Sequence, residues 1–83
     1  MQNQKNTAKL IKIERTGYSD YYKAQVQGAL VCTCYAPRGK QNLAVDLANM
    51  IANGCTRRAA GIQMAREGYD ASGIRVASAY FVQ

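Results

Sequence analysis

Alternation of apolar and polar residues organises the first half of the chain. Residues 8–16 place Leu10, Ile11 and Ile13 among Lys and Glu, and this near period of two predicts a first strand. Residues 21–27 alternate without interruption between a Tyr-Ala-Val series and a series of Tyr, Lys and Gln. This second segment predicts a strand that is buried on one face and exposed on the other.

Turn-forming residues separate these strands from each other and from a third strand. Residues 17–20 contain Gly, Ser and Asp, which favour a turn, and Gly28-Ala29 indicates a tight connection to a strand over residues 30–35. We expect Pro37 to end that strand, because proline has no N–H to donate to a sheet. The simplest arrangement is an antiparallel meander of three strands.

The period of the apolar positions changes in the second half. Between residues 40 and 53, Leu, Met, Ile and Ala recur at helical spacing along one face, and Asn53-Gly54 is typical of a helix C-terminus. Thr56 is suited to cap a second helix that ends at Gly68, although one continuous kinked helix is the alternative. Residues 74–82 are rich in β-branched and aromatic side chains and predict a last strand.

These elements predict an α+β fold. The order β-β-β-α-α-β implies a small antiparallel sheet with two short helices packed on one face. We interpret residues 1–7, which are rich in Gln and Asn, as a flexible N-terminal arm, and residues 8–83 as a single domain. If the helices cover one face of the sheet, the other face is a candidate interface or homodimer surface.

Composition and charge limit the classes of partner that the protein could bind but do not identify one partner. The 83 residues contain 11 Lys and Arg against 5 Asp and Glu, a net charge of +6. Residues 1–45 hold seven of the basic residues and two of the acids. This excess favours contact with nucleic acid, an acidic protein or a nucleoprotein, although solubility alone also requires some net charge. No segment approaches the roughly 18 apolar residues of a membrane span, so we expect a cytoplasmic protein.

Candidate catalytic chemistry is sparse. The sequence contains no His, which removes the commonest general base and metal ligand, and its acids form no motif. Cys32 and Cys34 share one face of a predicted strand, and Cys55 stands apart. Core packing is the expected role of these thiols, with metal binding and redox chemistry as alternatives. We therefore expect neither an enzyme nor a cofactor.

Aromatic and basic residues are the candidate partner-binding groups. Tyr18 and Tyr21 flank a predicted turn beside Lys23, and aromatic residues among cations suit base stacking or a protein interface. Cations also stand at both predicted helix starts, where the helix dipole favours anions instead. A phosphate or carboxylate from a partner would explain that placement, and plain solvent exposure is the alternative. The cations at the two helix starts are Arg38, Lys40, Arg57 and Arg58.

The segment YYKAQVQGALVCTCYAPRGKQNLAVDLANMI resembles the second half of a double-stranded RNA-binding domain in its order of strand, turn, strand, loop and helix. In that family the final helix begins with lysines that straddle phosphates across a groove. Arg38 and Lys40 stand at the comparable positions here, whereas Gln41 and Asn42 follow where further lysines would be expected. The resemblance covers about a third of the chain and implies contact with phosphates.

In general character, the chain resembles the small phage and mobile-element proteins that act against host defences, the anti-CRISPR proteins among them. This resemblance implies a non-enzymatic inhibitor that blocks a surface of a host protein or nucleoprotein, such as a CRISPR effector, in the host cytoplasm. The alternative is a basic module that binds nucleic acid directly through Lys23 and the cations at the two helix starts.

Overall fold

The computed structural model describes residues 9–16 and 21–81 and has the predicted α+β architecture. Four strands form one antiparallel sheet in the order β1-β2-β3-β4, so each strand pairs with its neighbour in sequence. Two helices connect the third strand to the fourth. The elements are β1 Lys9–Arg15, β2 Tyr21–Gln27, β3 Leu30–Pro37, α1 Gln41–Ala52, α2 Arg57–Arg66 and β4 Arg75–Phe81.

The third strand continues further than the sequence suggested. The strand was expected over residues 30–35 with Pro37 as its end; β3 does end at Pro37, but it includes that residue, which pairs with Tyr21. The final pair between β3 and β4 joins Tyr35 and Arg75. Pro37 therefore lies past the ladder with β4, where its missing N–H interrupts no hydrogen bond. The turn expected at residues 17–20 and the arm at residues 1–7 lie outside the described residues.

The core lies between α1 and the two central strands. Leu47 is fully buried on the inner face of α1, and Val26 of β2 is almost fully buried beneath the helix. Most other core positions are small, which allows the helix backbone to approach the sheet closely. The small buried side chains facing this interface are Ala24, Cys32, Cys34, Ala36, Ala44, Ala48 and Ala52.

The second helix begins at the predicted cap and packs chiefly against α1. The Thr56 hydroxyl accepts a hydrogen bond from the Ala59 N–H at 3.0 Å, which satisfies one of the free donors of the first turn. The helix contributes Ala60 and Met64 to the core. A turn through Gly68, at a φ of +90°, then leads toward β4.

Both helices lie on one side of the sheet and leave the other side uncovered. We call the uncovered side the open face. The described side chains that the strand register assigns to the open face are Lys12, Glu14, Tyr21, Lys23, Gln25, Gln27, Val31, Thr33, Tyr35, Pro37, Arg75, Ser78 and Tyr80.

Neither α1 nor α2 is long and apolar enough to cross a membrane, and no other helix occurs in the described ranges.

Candidate functional site

One row of side chains crosses all four strands on the open face. Strand pairing places Glu14 opposite Lys23, Lys23 opposite Tyr35, and Tyr35 opposite Arg75. Directly opposed residues have Cβ atoms about 5 Å apart, so each side chain stands beside the next. The row thus presents an aromatic ring between two cations, with a carboxylate at one end.

The neighbouring row is polar throughout. It runs from Lys12 through Gln25 and Thr33 to Ser78. The Gln25 amide donates to the Thr33 hydroxyl at 3.2 Å, and Thr33 is only 6% exposed because its neighbours cover it. This row adds hydrogen-bonding groups to the open face and introduces no further carboxylate.

A hollow of about 730 Å³ occupies one end of the open face. It is open to solvent, and Tyr21, 46% exposed, and Tyr35 are its aromatic members. Three cations, one carboxylate and Thr16 complete the described lining, which gives the hollow a positive balance. The lining residues are Glu14, Arg15, Thr16, Tyr21, Lys23, Tyr35 and Arg75.

Glu14, the carboxylate in the described lining of this hollow, can still accept hydrogen bonds from a ligand. Lys12 Nζ lies 3.8 Å from Glu14 Oε1, and both side chains are about half exposed. That separation exceeds ordinary hydrogen-bond length, and exposed ion pairs contribute little energy. A ligand in the hollow can therefore compete with Lys12 for Glu14.

Lys40, which was predicted to contact a partner, ties two loops of the protein together. Its ammonium donates to the Ser72 carbonyl at 2.6 Å and lies 3.6 Å from the Asp70 carboxylate. The Ser72 N–H, donating to Asp70 at 2.9 Å, is the main reason that the pKa of Asp70 is lowered, and Lys40 adds to this effect. The structure therefore assigns Lys40 a role in holding the connection before α1 against the connection before β4.

Arg57 also makes an internal contact. Its guanidinium donates to the Ala71 carbonyl at 3.2 Å. A Cβ at Gly61, one turn further along α2, would lie 2.6 Å from Arg57 Nη1, so glycine leaves room for this guanidinium. The Arg57 side chain therefore lies along α2 and contacts the segment that follows the helix.

The predicted partner-binding residues do not form one surface. Tyr21 and Lys23 lie together on the open face, as the alternation of the second strand implied. Arg57 and Arg58 belong to α2 on the opposite side of the sheet, and Arg38 is exposed in the turn after β3. Tyr18 lies outside the described residues.

Sequence reasoning missed three members of the open-face row. Tyr35 could have been found, because the alternation of the third strand places it on the side away from the two cysteines. Glu14 and Arg75 required the register of the outer strands. Two irregularities, between Leu10 and Lys12 and between Thr33 and Cys34, shift that register.

The two strand cysteines are buried core residues. Cys32 and Cys34 have no exposed surface, and their sulfurs are 3.8 Å apart. The hydrogen bond between them, together with burial, raises the pKa of the Cys34 thiol far above its ordinary value, whereas the same bond lowers the pKa of Cys32. Cys55 is exposed after α1. No cluster of three or more metal-binding side chains occurs within residues 9–16 and 21–81.

The open face is therefore where exposed aromatic and cationic groups converge. No protein-family model matches the chain, and no curated protein or solved structure is significantly similar to it. Its function must be inferred from the chemistry of this surface.

Proposed function

We propose that the protein acts by binding rather than by catalysis, and that the open face binds nucleic acid. The observation that carries this proposal is the row in which Tyr35 lies between Lys23 and Arg75 across the sheet. Cations at this spacing attract phosphates, and the half-buried ring of Tyr35 offers a stacking surface to a base. The phosphate and the base of a nucleotide therefore each have a complementary group on the same surface.

The charge of the whole chain supports the same partner. A net charge of +6 favours the approach of a polyanion from any direction. The Gln and Ser side chains of the neighbouring row add donors that suit phosphate and sugar oxygens. A flat apolar protein interface would present a different surface, with charged residues depleted at its centre.

Removing the two cations of the row is the experiment that tests this proposal. The double variant Lys23→Ala/Arg75→Ala should bind a labelled 20-nucleotide strand at about 50 mM salt at least tenfold more weakly, because two phosphate contacts are lost. Fluorescence anisotropy measures the affinity. Wild-type binding should also fall about tenfold or more between 50 and 200 mM salt, and the variant should show a shallower salt slope.

A control variant removes the same charge from the opposite side. Arg58→Ala/Arg66→Ala deletes two exposed cations of α2 and should change affinity by less than about threefold, since only general charge attraction is reduced. If this variant lost more affinity than Lys23→Ala/Arg75→Ala, the cations of α2 would be the binding surface and the proposal would be wrong.

A second candidate function is steric inhibition of a host complex of the anti-CRISPR kind. It is favoured by two aromatic side chains at the end of β4, where Tyr80 is 54% and Phe81 is 74% exposed. Exposed aromatic residues of this kind often anchor protein interfaces. An inhibitor docked through this edge would act in the host cytoplasm and need no cofactor.

Plasmid-interference assays test this second candidate. Expression of the protein in bacteria whose CRISPR system targets a plasmid should raise transformation at least about tenfold, and Tyr80→Ser/Phe81→Ser should abolish the effect because interface anchors carry most binding energy. Lys23→Ala/Arg75→Ala should leave it intact. If transformation did not rise with any of a panel of CRISPR types, this candidate function would be rejected.

A further inference from the structure

We propose that the open face takes single-stranded nucleic acid and that its hollow selects a guanine base through Glu14. This inference rests on the proposed nucleic-acid function and specifies the ligand of the same site. It follows from the width of the sheet, the internal use of the helix-start cations, and the one carboxylate in the described lining of the hollow.

The shape of the open face excludes the usual route into a duplex. Neighbouring strands lie about 4.8 Å apart, so four strands span roughly 14 Å before side chains are added. The major groove of B-DNA is about 12 Å wide and admits a helix or a two-stranded ribbon. A four-stranded face is too wide to enter, whereas an extended single strand can lie along it.

The tyrosines require bases with accessible faces. Tyr21 and Tyr35 both line the hollow, and Tyr35 stands at the centre of the row. Bases inside a duplex are stacked on each other and present only their edges, whereas the bases of a single strand can stack on aromatic side chains. The aromatic part of this site therefore serves a single strand only.

Lys40 and Arg57, two cations at the helix starts that could straddle a duplex, make contacts within the protein instead. Lys40 binds the Ser72 carbonyl and lies beside Asp70, and Arg57 binds the Ala71 carbonyl. A groove-spanning mode at the start of α1, as implied by the resemblance to double-stranded RNA-binding domains, would require Lys40 to leave this contact. The free energy of that internal contact would oppose duplex binding.

The hollow has the volume and the polar groups for one nucleotide. Its 730 Å³ lies within the range of about 300–1,000 Å³ that small-molecule sites occupy. Lys23 and Arg75 stand on either side of Tyr35, so a base stacked on Tyr35 would bring its flanking phosphates toward these two cations. Glu14 lies next to Lys23 in the same row and lines the hollow, so it is the carboxylate that the edge of such a base would meet.

The chemistry of a carboxylate decides which base fits. An ionised carboxylate only accepts hydrogen bonds and does so through two oxygens. The pairing edge of guanine offers two adjacent donors, its ring N–H and its amino group, which match both oxygens. Uracil presents one N–H between two carbonyls that repel the carboxylate, and adenine and cytosine present one donor beside an acceptor. Glu14 therefore favours guanine.

Ligands that differ by one base provide the test. The probes are a labelled ten-residue oligouridine, the same strand with one central guanosine, and the same strand with one central inosine, which lacks the amino group. For the wild-type protein at about 50 mM salt, guanosine should tighten binding about tenfold over uridine. Inosine should lose most of that gain. A duplex containing the guanosine strand should bind at least about tenfold more weakly than the strand alone.

The Glu14→Gln variant assigns the preference to this residue. It should bind the guanosine and uridine strands within about twofold of each other, while its affinity for oligouridine should stay the same or rise because a negative charge is removed. Retained binding of oligouridine shows that the variant is folded.

Each contrary outcome identifies the step that fails. Duplex binding equal to or tighter than single-strand binding would overturn the single-strand assignment, and an unchanged guanosine preference in Glu14→Gln would overturn the role of Glu14. In either case nucleic-acid binding by the open face would stand. Absence of binding by any strand at the lower salt would instead overturn the proposed function itself.

Discussion

Replacing Leu47 by alanine should lower the free energy of unfolding by about 3 kcal/mol. Leu47 is fully buried at the centre of the inner face of α1. The change removes its methyl groups from a packed environment and leaves a cavity, and such substitutions cost about 2–5 kcal/mol. Because small domains have only about 5–15 kcal/mol to lose, a large fraction of the stability disappears.

Urea denaturation of the wild-type and variant proteins measures this change. Ile62→Ala is the control, because Ile62 is 47% exposed on α2 and should change stability by about 0.5 kcal/mol or less. A loss below about 1 kcal/mol in Leu47→Ala, or equal losses in the two variants, would show that α1 does not form the core against the sheet.

Thiol labelling of the native protein should reveal one fast cysteine and two slow ones. Cys55 is exposed and should react at the rate of an ordinary thiol, whereas Cys32 and Cys34 are fully buried beneath α1. Their reaction requires opening of the core, which slows it by at least about 100-fold if opening costs about 3 kcal/mol. The pKa of Cys34, raised by its hydrogen bond and burial, suppresses its thiolate further.

A chromogenic disulfide reagent follows both phases. Cys55→Ser should remove the fast phase and leave the slow one, and denaturation should make every remaining thiol fast. Fast labelling of Cys32 or Cys34 in the folded Cys55→Ser variant would contradict burial of the pair and would restore the redox role that their spacing first allowed.

Local sequence signals predicted most of the fold because their physical causes are local. The alternation of residues 21–27 defined β2 at both ends, since burial of one sheet face requires a period of two. Asn53-Gly54 and Thr56 separated the two helices, through a helix end at a positive-φ glycine and a side-chain cap. The third strand ends at Pro37 as expected but extends past residue 35, because the effect of a proline depends on which neighbour the strand has at that position, and this is not a local property.

The candidate site was only half predictable for the same reason. Tyr21 and Lys23 share a strand face that alternation reveals, but Glu14 and Arg75 join them only through pairing across strands. The register irregularity near Ile11 moves β1 out of simple alternation, so the face of Glu14 cannot be read from its spacing alone.

The roles of the helix-start cations were equally hidden from the sequence. Lys40 meets Ser72, which is 32 residues away in the chain, and Arg57 meets Ala71. Both acceptors are backbone carbonyls in the segment before β4, and any residue type provides such an oxygen. Sequence spacing therefore left these cations as candidates for a partner, although the folded chain uses both internally.

Mapping the binding surface by NMR tests the central claim most directly. Titration of ¹⁵N-labelled protein with a single-stranded oligonucleotide at about 50 mM salt should shift the amide signals of Lys23, Tyr35 and Arg75 and their strand neighbours. The signals of α2, including Arg58, should stay in place. Shifts concentrated in α2 and the turn before α1, with β2 and β3 unchanged, would contradict binding by the open face.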